Sequence, residues 1–90
     1  MPRYVIQRDL PGAGKLSSEQ LQKISQLSNN VIDNMNSHIQ WEHSYVVDDK
    51  IYCVYIANNE DTIREHARIA EFPVTEIFQV GHVIDPTTGE

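Results

Sequence analysis

The sequence contains a single cysteine, Cys53, so no disulfide can form within the chain. It also lacks the paired cysteines of zinc ribbons and of thiol redox motifs. No apolar run approaches the roughly 20 residues that a membrane-spanning helix needs, and no apolar leader follows Met1. These absences lead us to expect a cytoplasmic protein without membrane contact.

Positive charge is also scarce. The chain has seven Lys and Arg residues and thirteen Asp and Glu residues, which gives a net charge of −6. Nucleic-acid binders depend on clustered basic side chains to contact phosphates, so we expect no nucleic-acid partner. The 90 residues, 40% of them hydrophobic, predict one small globular domain over residues 1–90. A core of this size is thin, which favours a homodimer.

The predicted elements follow the order β-α-β-β-α-β. Four segments rich in β-branched and aromatic residues predict strands, at 3–8, 39–47, 50–57 and 75–84. Ser17 and Gln20 have the spacing of a capping box, which predicts the start of the first helix. The second helix is predicted to follow Asn59 and to end before Pro73. Residues 85–90 are interpreted as a polar C-terminal tail.

This order favours a ferredoxin-like α+β fold, a four-stranded antiparallel sheet with both helices on one face. The first and third strands are then central. The apolar stripe of the first helix is predicted to comprise Leu21, Ile24, Leu27, Val31 and Met35. The sheet face opposite the helices is left open, which leads us to expect a dimeric association of the α/β-barrel type.

A two-residue loop at Asp48 and Asp49 would fix the register of the central hairpin. In that register His43 and Cys53 point to opposite faces of the sheet, unless a bulge intervenes. We expect the open face to line a dimer interface or a cleft. The side chains predicted on it are Trp41, His43, Tyr45, Tyr52 and Val54.

Four histidines and one cysteine suit nickel, zinc or copper, although no spacing among them is diagnostic. The glycines at 12 and 14 precede a helix, but Asp9 and Leu16 replace residues that a phosphate-binding loop requires. No nucleophile–base pair is identifiable, so nothing in the residues compels an enzyme.

Several segments resemble a bacterial family of small proteins described as nickel-responsive or nickel-binding. They are MPRY at 1–4, WEHSYVVDDKIYCVY at 41–55, IREHA at 63–67 and VIDPTT at 83–88. The resemblance implies a ferredoxin-like fold, a homodimer and nickel binding without a known catalytic activity. It also implies His43, Cys53 and His66 as metal ligands. Glu71 departs from the family pattern, which has a small residue, often Gly, before the Phe-Pro pair.

Three functions are therefore open from the sequence. The first, favoured by the resemblance, is binding of nickel or another divalent transition metal. The second is a small-molecule site or enzyme in an aromatic cleft at the dimer interface. The third is a dimeric accessory or stress-response domain in which the histidines are structural.

Overall fold

A computed structural model describes all 90 residues. The strands are β1 (Arg3–Asp9), β2 (Ile39–Val46), β3 (Lys50–Ala57) and β4 (Glu76–Gln79). The helices are α1 (Ser18–Asn34) and α2 (Glu60–Ala70), and two short 3-10 turns span Ala13–Lys15 and Pro86–Gly89. The strands form one antiparallel sheet in the order β2-β3-β1-β4. This is the predicted ferredoxin-like arrangement, with β1 and β3 in the centre.

The helix caps explain where the helices begin. The Ser17 hydroxyl accepts a hydrogen bond from the Gln20 amide at 3.1 Å, and the Gln20 side chain accepts from the Ser17 amide at 2.9 Å. These two bonds are the predicted capping box. At α2 the side chain of Asn59 accepts from the Thr62 amide at 2.9 Å. Both caps satisfy amides that the first turn of a helix leaves without partners.

Side chains alternate strictly between the two faces of the central strands. Tyr4, Ile6 and Arg8 of β1 are buried under the helices, while the residues between them are half-buried on the other face. β3 follows the same pattern, with four buried side chains at Ile51, Cys53, Tyr55 and Ala57. From α2, Ile63 completes the core and is fully buried. The hydrophobic core therefore lies on one face of the sheet.

Two details of the predicted elements are wrong. Leu27 of α1 is 42% exposed, and the small polar Ser28 is buried in its place. The helix is therefore rotated so that Ser28 meets α2. The last strand is also shorter than the predicted 75–84, because β4 has only β1 as a neighbour and pairs only with Tyr4 to Gln7.

The segment between β1 and α1 is fixed against the hairpin turn. The Gly14 amide donates to the Asp48 carbonyl at 2.9 Å, and the Gly12 amide donates to the Asp49 carboxylate at 3.0 Å. A Cβ atom on Gly14 would lie 3.0 Å from the Asp48 Cα, a tight contact with backbone, so this close approach favours glycine there. The amides of Gly12 and Gly14 therefore donate hydrogen bonds within the protein and do not point at a phosphate site.

Candidate functional site

The central hairpin contains a bulge that changes which side chains share a face. From His43 to Val46 the strand pairs with β3 in the predicted register. A shift between Trp41 and His43 then places Trp41 opposite Tyr55. Because one extra residue reverses the alternation, Trp41 lies on the helix-covered side with Tyr55. Its indole nitrogen donates to the Ser44 hydroxyl at 2.9 Å. The prediction that Trp41 lies on the open face is therefore wrong.

His43 does lie on the face that no helix covers, and it is exposed. Its ring packs edge-on against Tyr45, with ring centroids 5.1 Å apart. Beside them Arg3 donates to the Glu42 carboxylate at 2.6 Å. This hydrogen bond from Arg3 holds the pKa of Glu42 below its ordinary value. The open face thus presents one free imidazole next to a phenol ring and an ion pair.

The helix-covered side contains a buried arginine. Arg8 is only 3% exposed, and its guanidinium donates to the Pro73 carbonyl at 2.8 Å and to the Cys53 sulfur at 3.3 Å. A longer contact of 3.5 Å reaches the Tyr55 hydroxyl. The sequence interpretation missed Arg8 as a functional candidate. The signal was present, because Arg8 follows Tyr4 and Ile6 at the two-residue period of one strand face.

His66 is fully buried on α2, and its Nε2 lies 3.2 Å from the Ser28 hydroxyl. Its Nδ1 is buried without a hydrogen-bond partner. Burial, with a further contribution from the positive charge of Arg8, lowers the pKa of His66 to about 4. The ring also lies near two aromatic rings, with centroids 5.3 Å from Tyr55 and 5.9 Å from Phe72. His66 is therefore neutral at neutral pH.

The structure does not bring the three predicted metal ligands together. His43 projects from the open face, whereas Cys53 and His66 are buried on the other side of the sheet. No group of three or more His, Cys, Asp or Glu side chains in the chain is arranged to hold a metal ion. The guanidinium of Arg8 at the Cys53 sulfur also opposes a cation there. A nickel site made by these residues within one chain does not fit the structure.

The sheet order and the placement of the helices define the chain as a ferredoxin-like α+β protein. Residues 4–80 match the model of the family described as nickel responsive protein SCO4226-like, and the chain belongs to this family. The family suggested by the sequence motifs is thereby confirmed.

A solved structure supports the fold independently. The chain is similar to the protein in "Crystal structure analysis of SCO4226 from Streptomyces coelicolor A3(2)", with a TM-score of 0.76 and 18% sequence identity. The alignment covers 91% of this chain and 99% of that one. At this identity the likeness establishes the fold alone. A comparison with curated proteins found no match. Neither helix has the length and apolar character needed to cross a membrane.

Proposed function

We propose that the protein binds nickel or a similar divalent transition metal ion as a cytoplasmic homodimer, with His43 as a ligand. The observation that carries this proposal is the exposed imidazole of His43 on the open face, in a member of a nickel-responsive family. Imidazole nitrogen is a ligand that suits nickel. The net charge of −6 favours the approach of a cation.

A second copy is part of the proposal because one chain offers too few donors at this face. The open face carries apolar side chains from the central and edge strands, among them Val5, Val54, Ile56 and Phe78. Phe78 is 49% exposed, and a matching face on a second copy would remove it from water. This argues for packing of the two open faces against each other.

The strand order suggests which residues would meet in such a dimer. β2 and β4 are the opposite edges of the sheet. A twofold axis parallel to the strands lays the β2 edge of one copy over the β4 edge of the other. His43 of β2 would then lie over β4 of the second copy, level with Phe78, and the exposed His82, which follows β4, is the histidine nearest to that edge in sequence. The twofold axis would create two such sites, one at each edge of the interface, where carboxylates or water could complete the coordination.

The test is a calorimetric titration of Ni²⁺ into tag-free protein that has been treated with EDTA and dialysed. His43→Ala and His82→Ala should each weaken binding by about tenfold or more, since each removes one metal–nitrogen bond. His38→Ala is the matched control, because His38 is also exposed but precedes β2 rather than lying on the open face. Nickel binding that is unchanged by His43→Ala would refute the proposal.

The oligomeric state is checked separately by light scattering on the same samples. We expect a dimer, and a monomer at all concentrations would remove the shared site. Coordination needs deprotonated imidazole, so the affinity for nickel should also fall in acid.

We keep Cys53 and His66, the other two ligands implied by the resemblance, as the alternative to the open-face site. The nickel affinities of Cys53→Ser and His66→Gln are measured by the same calorimetric titration. If these two variants lose nickel while His43→Ala retains it, the metal lies on the helix-covered side and the chain must rearrange around Arg8. If only His43→Ala loses it, the site lies on the open face.

A further inference from the structure

A cavity of about 260 Å³ lies on the helix-covered side, between α1, the hairpin and the segment that follows α2. Most of its wall is apolar, and the residues that matter here are Leu21, Ile24, Trp41, Ile51 and Phe72. Proteins normally fill a space of this size with side chains. The volume approaches that of small-ligand pockets and suits a molecule of roughly ten non-hydrogen atoms.

Arg8 provides the charge in this cavity. Its side chain lines the cavity and is only 3% exposed. All five ion pairs of the structure lie elsewhere, so no carboxylate of the protein neutralises Arg8. Glu71 also lines the cavity, but it is exposed and makes no ion pair. A buried charge without a counter-ion is strongly unfavourable, so an anion inside the cavity would stabilise the protein.

The guanidinium retains capacity to bind such an anion. Of its five N–H groups, the contacts to Cys53, Tyr55 and Pro73 use three. The side chain also lies over two aromatic rings, 5.3 Å from the centroid of Phe72 and 6.0 Å from that of Tyr55. These rings reduce the cost of burying the charge without neutralising it. Two N–H groups remain for a bidentate or bridging contact.

The neighbouring polar groups favour a singly charged ligand. His66 is neutral, so Arg8 is the one buried cation on this side of the sheet. The hydroxyls of Ser28 and Ser44 line the same cavity but carry no charge. A phosphate dianion would lose its hydration against this apolar wall without a second cation to compensate. A carboxylate with an apolar body matches both the single charge and the wall.

We propose that this cavity is a binding site for a small organic carboxylate, held by Arg8 at its charged end and by α1 and Trp41 along its apolar body. The site is separate from the open-face nickel site proposed above, because the sheet lies between them. Either proposal can therefore fail without the other.

The test uses octanoate and its neutral isostere octanamide, which have the same chain length and differ in charge. Trp41 is the only tryptophan and lines the cavity, so its fluorescence reports occupancy directly. The titration is performed in EDTA to exclude metal effects and is repeated by calorimetry. Octanoate should bind saturably and at least about tenfold more tightly than octanamide, because only the carboxylate carries the negative charge that forms an ion pair with Arg8. Equal binding of the two, or binding of neither, would overturn the proposal.

Variants locate the site. Arg8→Met should reduce the octanoate affinity by about tenfold or more and the octanamide affinity by less, because the amide carries no charge. If circular dichroism shows that this variant does not fold, two leucine-to-phenylalanine substitutions on α1 test the location of the ligand instead. Leu21→Phe fills the cavity and should abolish octanoate binding, whereas Leu27→Phe lies on the exposed side and should not. Full octanoate binding by Leu21→Phe would place the ligand elsewhere and refute the site.

Discussion

The two faces of the sheet each carry side chains that are unusual for their environment. The helix-covered face buries a charged Arg8 and a neutral His66 among its apolar residues. The open face leaves apolar and aromatic groups such as Phe78 and Tyr45 half-exposed to water. Large polar groups are rarely buried without paired partners, and apolar patches on monomers are usually small. Each face therefore departs from the ordinary pattern in a way that points to a ligand or a partner.

The comparison also separates two roles for histidine. His66 is a fully buried side chain bound to Ser28, and it stabilises the packing of α2 on α1. His43 packs against Tyr45 on an exposed surface and is accessible to a ligand. Residue type does not distinguish these two roles, whereas burial and hydrogen bonding do.

The largest expected difference between the faces is in stability. Ile6→Ala removes a fully buried side chain next to β3 and should lower the unfolding free energy by about 4 kcal/mol. Val5→Ala, the adjacent residue on the open face, should lower it by about 1 kcal/mol or less in the monomer. Urea denaturation followed by circular dichroism measures both values. Similar losses for the two variants would contradict the assignment of the faces.

The pH dependence of stability should come from the buried histidine. The folded pKa of His66, about 4, lies below its ordinary value of 6.5, so the unfolded chain binds more protons between these values. The stabilisation is complete above about pH 6.5 and is lost as the pH falls towards 4, a change of about 3 kcal/mol. His66→Gln should flatten this part of the profile of unfolding free energy against pH. An unchanged slope between pH 4 and 6.5 in His66→Gln would contradict the assignment of this effect to His66.

A smaller effect is expected at the end of α2, beside the cavity. Glu71 adopts a left-handed conformation with φ of 60°, where the family pattern often has Gly. Glu71→Gly should raise the unfolding free energy by about 1 kcal/mol, because glycine has no Cβ to disfavour this conformation. Thermal unfolding measures the gain. Glu71→Ala tests the cause, since it removes the carboxylate but keeps the Cβ and should give no gain.

The smallest stability effect is expected on the open face. Tyr45 is 59% exposed at the edge strand, so Tyr45→Thr should change the unfolding free energy of the monomer by about 0.5 kcal/mol or less. The same variant should weaken dimerisation, which dilution monitored by light scattering measures. A large loss of monomer stability with unchanged dimerisation would assign Tyr45 to the core instead.

The fold could be predicted from the sequence because its signals are local and consistent. The capping residues Ser17 and Gln20 mark the start of α1, and alternation in β3 marks its buried face. The opposite orientations of His43 and Cys53 also followed from the turn at Asp48 and Asp49. These features depend on the nearest residues in the chain or across one turn.

The site was harder to predict because it depends on packing between distant segments. No residue near Trp41 indicates a bulge. The bulge forms because β2 keeps the register set by the turn and also places Trp41 against the core. The burial of Ser28 instead of Leu27 depends on the position of His66, which is far along the chain. The burial of Arg8 could have been read from strand alternation, but the cavity beside it could not.

The bulge at Glu42 means that strand pairing, and not only residue identity, controls the environment of the indole. Deleting Glu42 would leave Trp41 next to His43 on a regularly pleated strand, still opposite Tyr55 and still forming one wall of the cavity. Alignments of relatives should therefore be inspected for gaps at this position. A homologue that is one residue shorter here would keep both the architecture and this wall of the cavity.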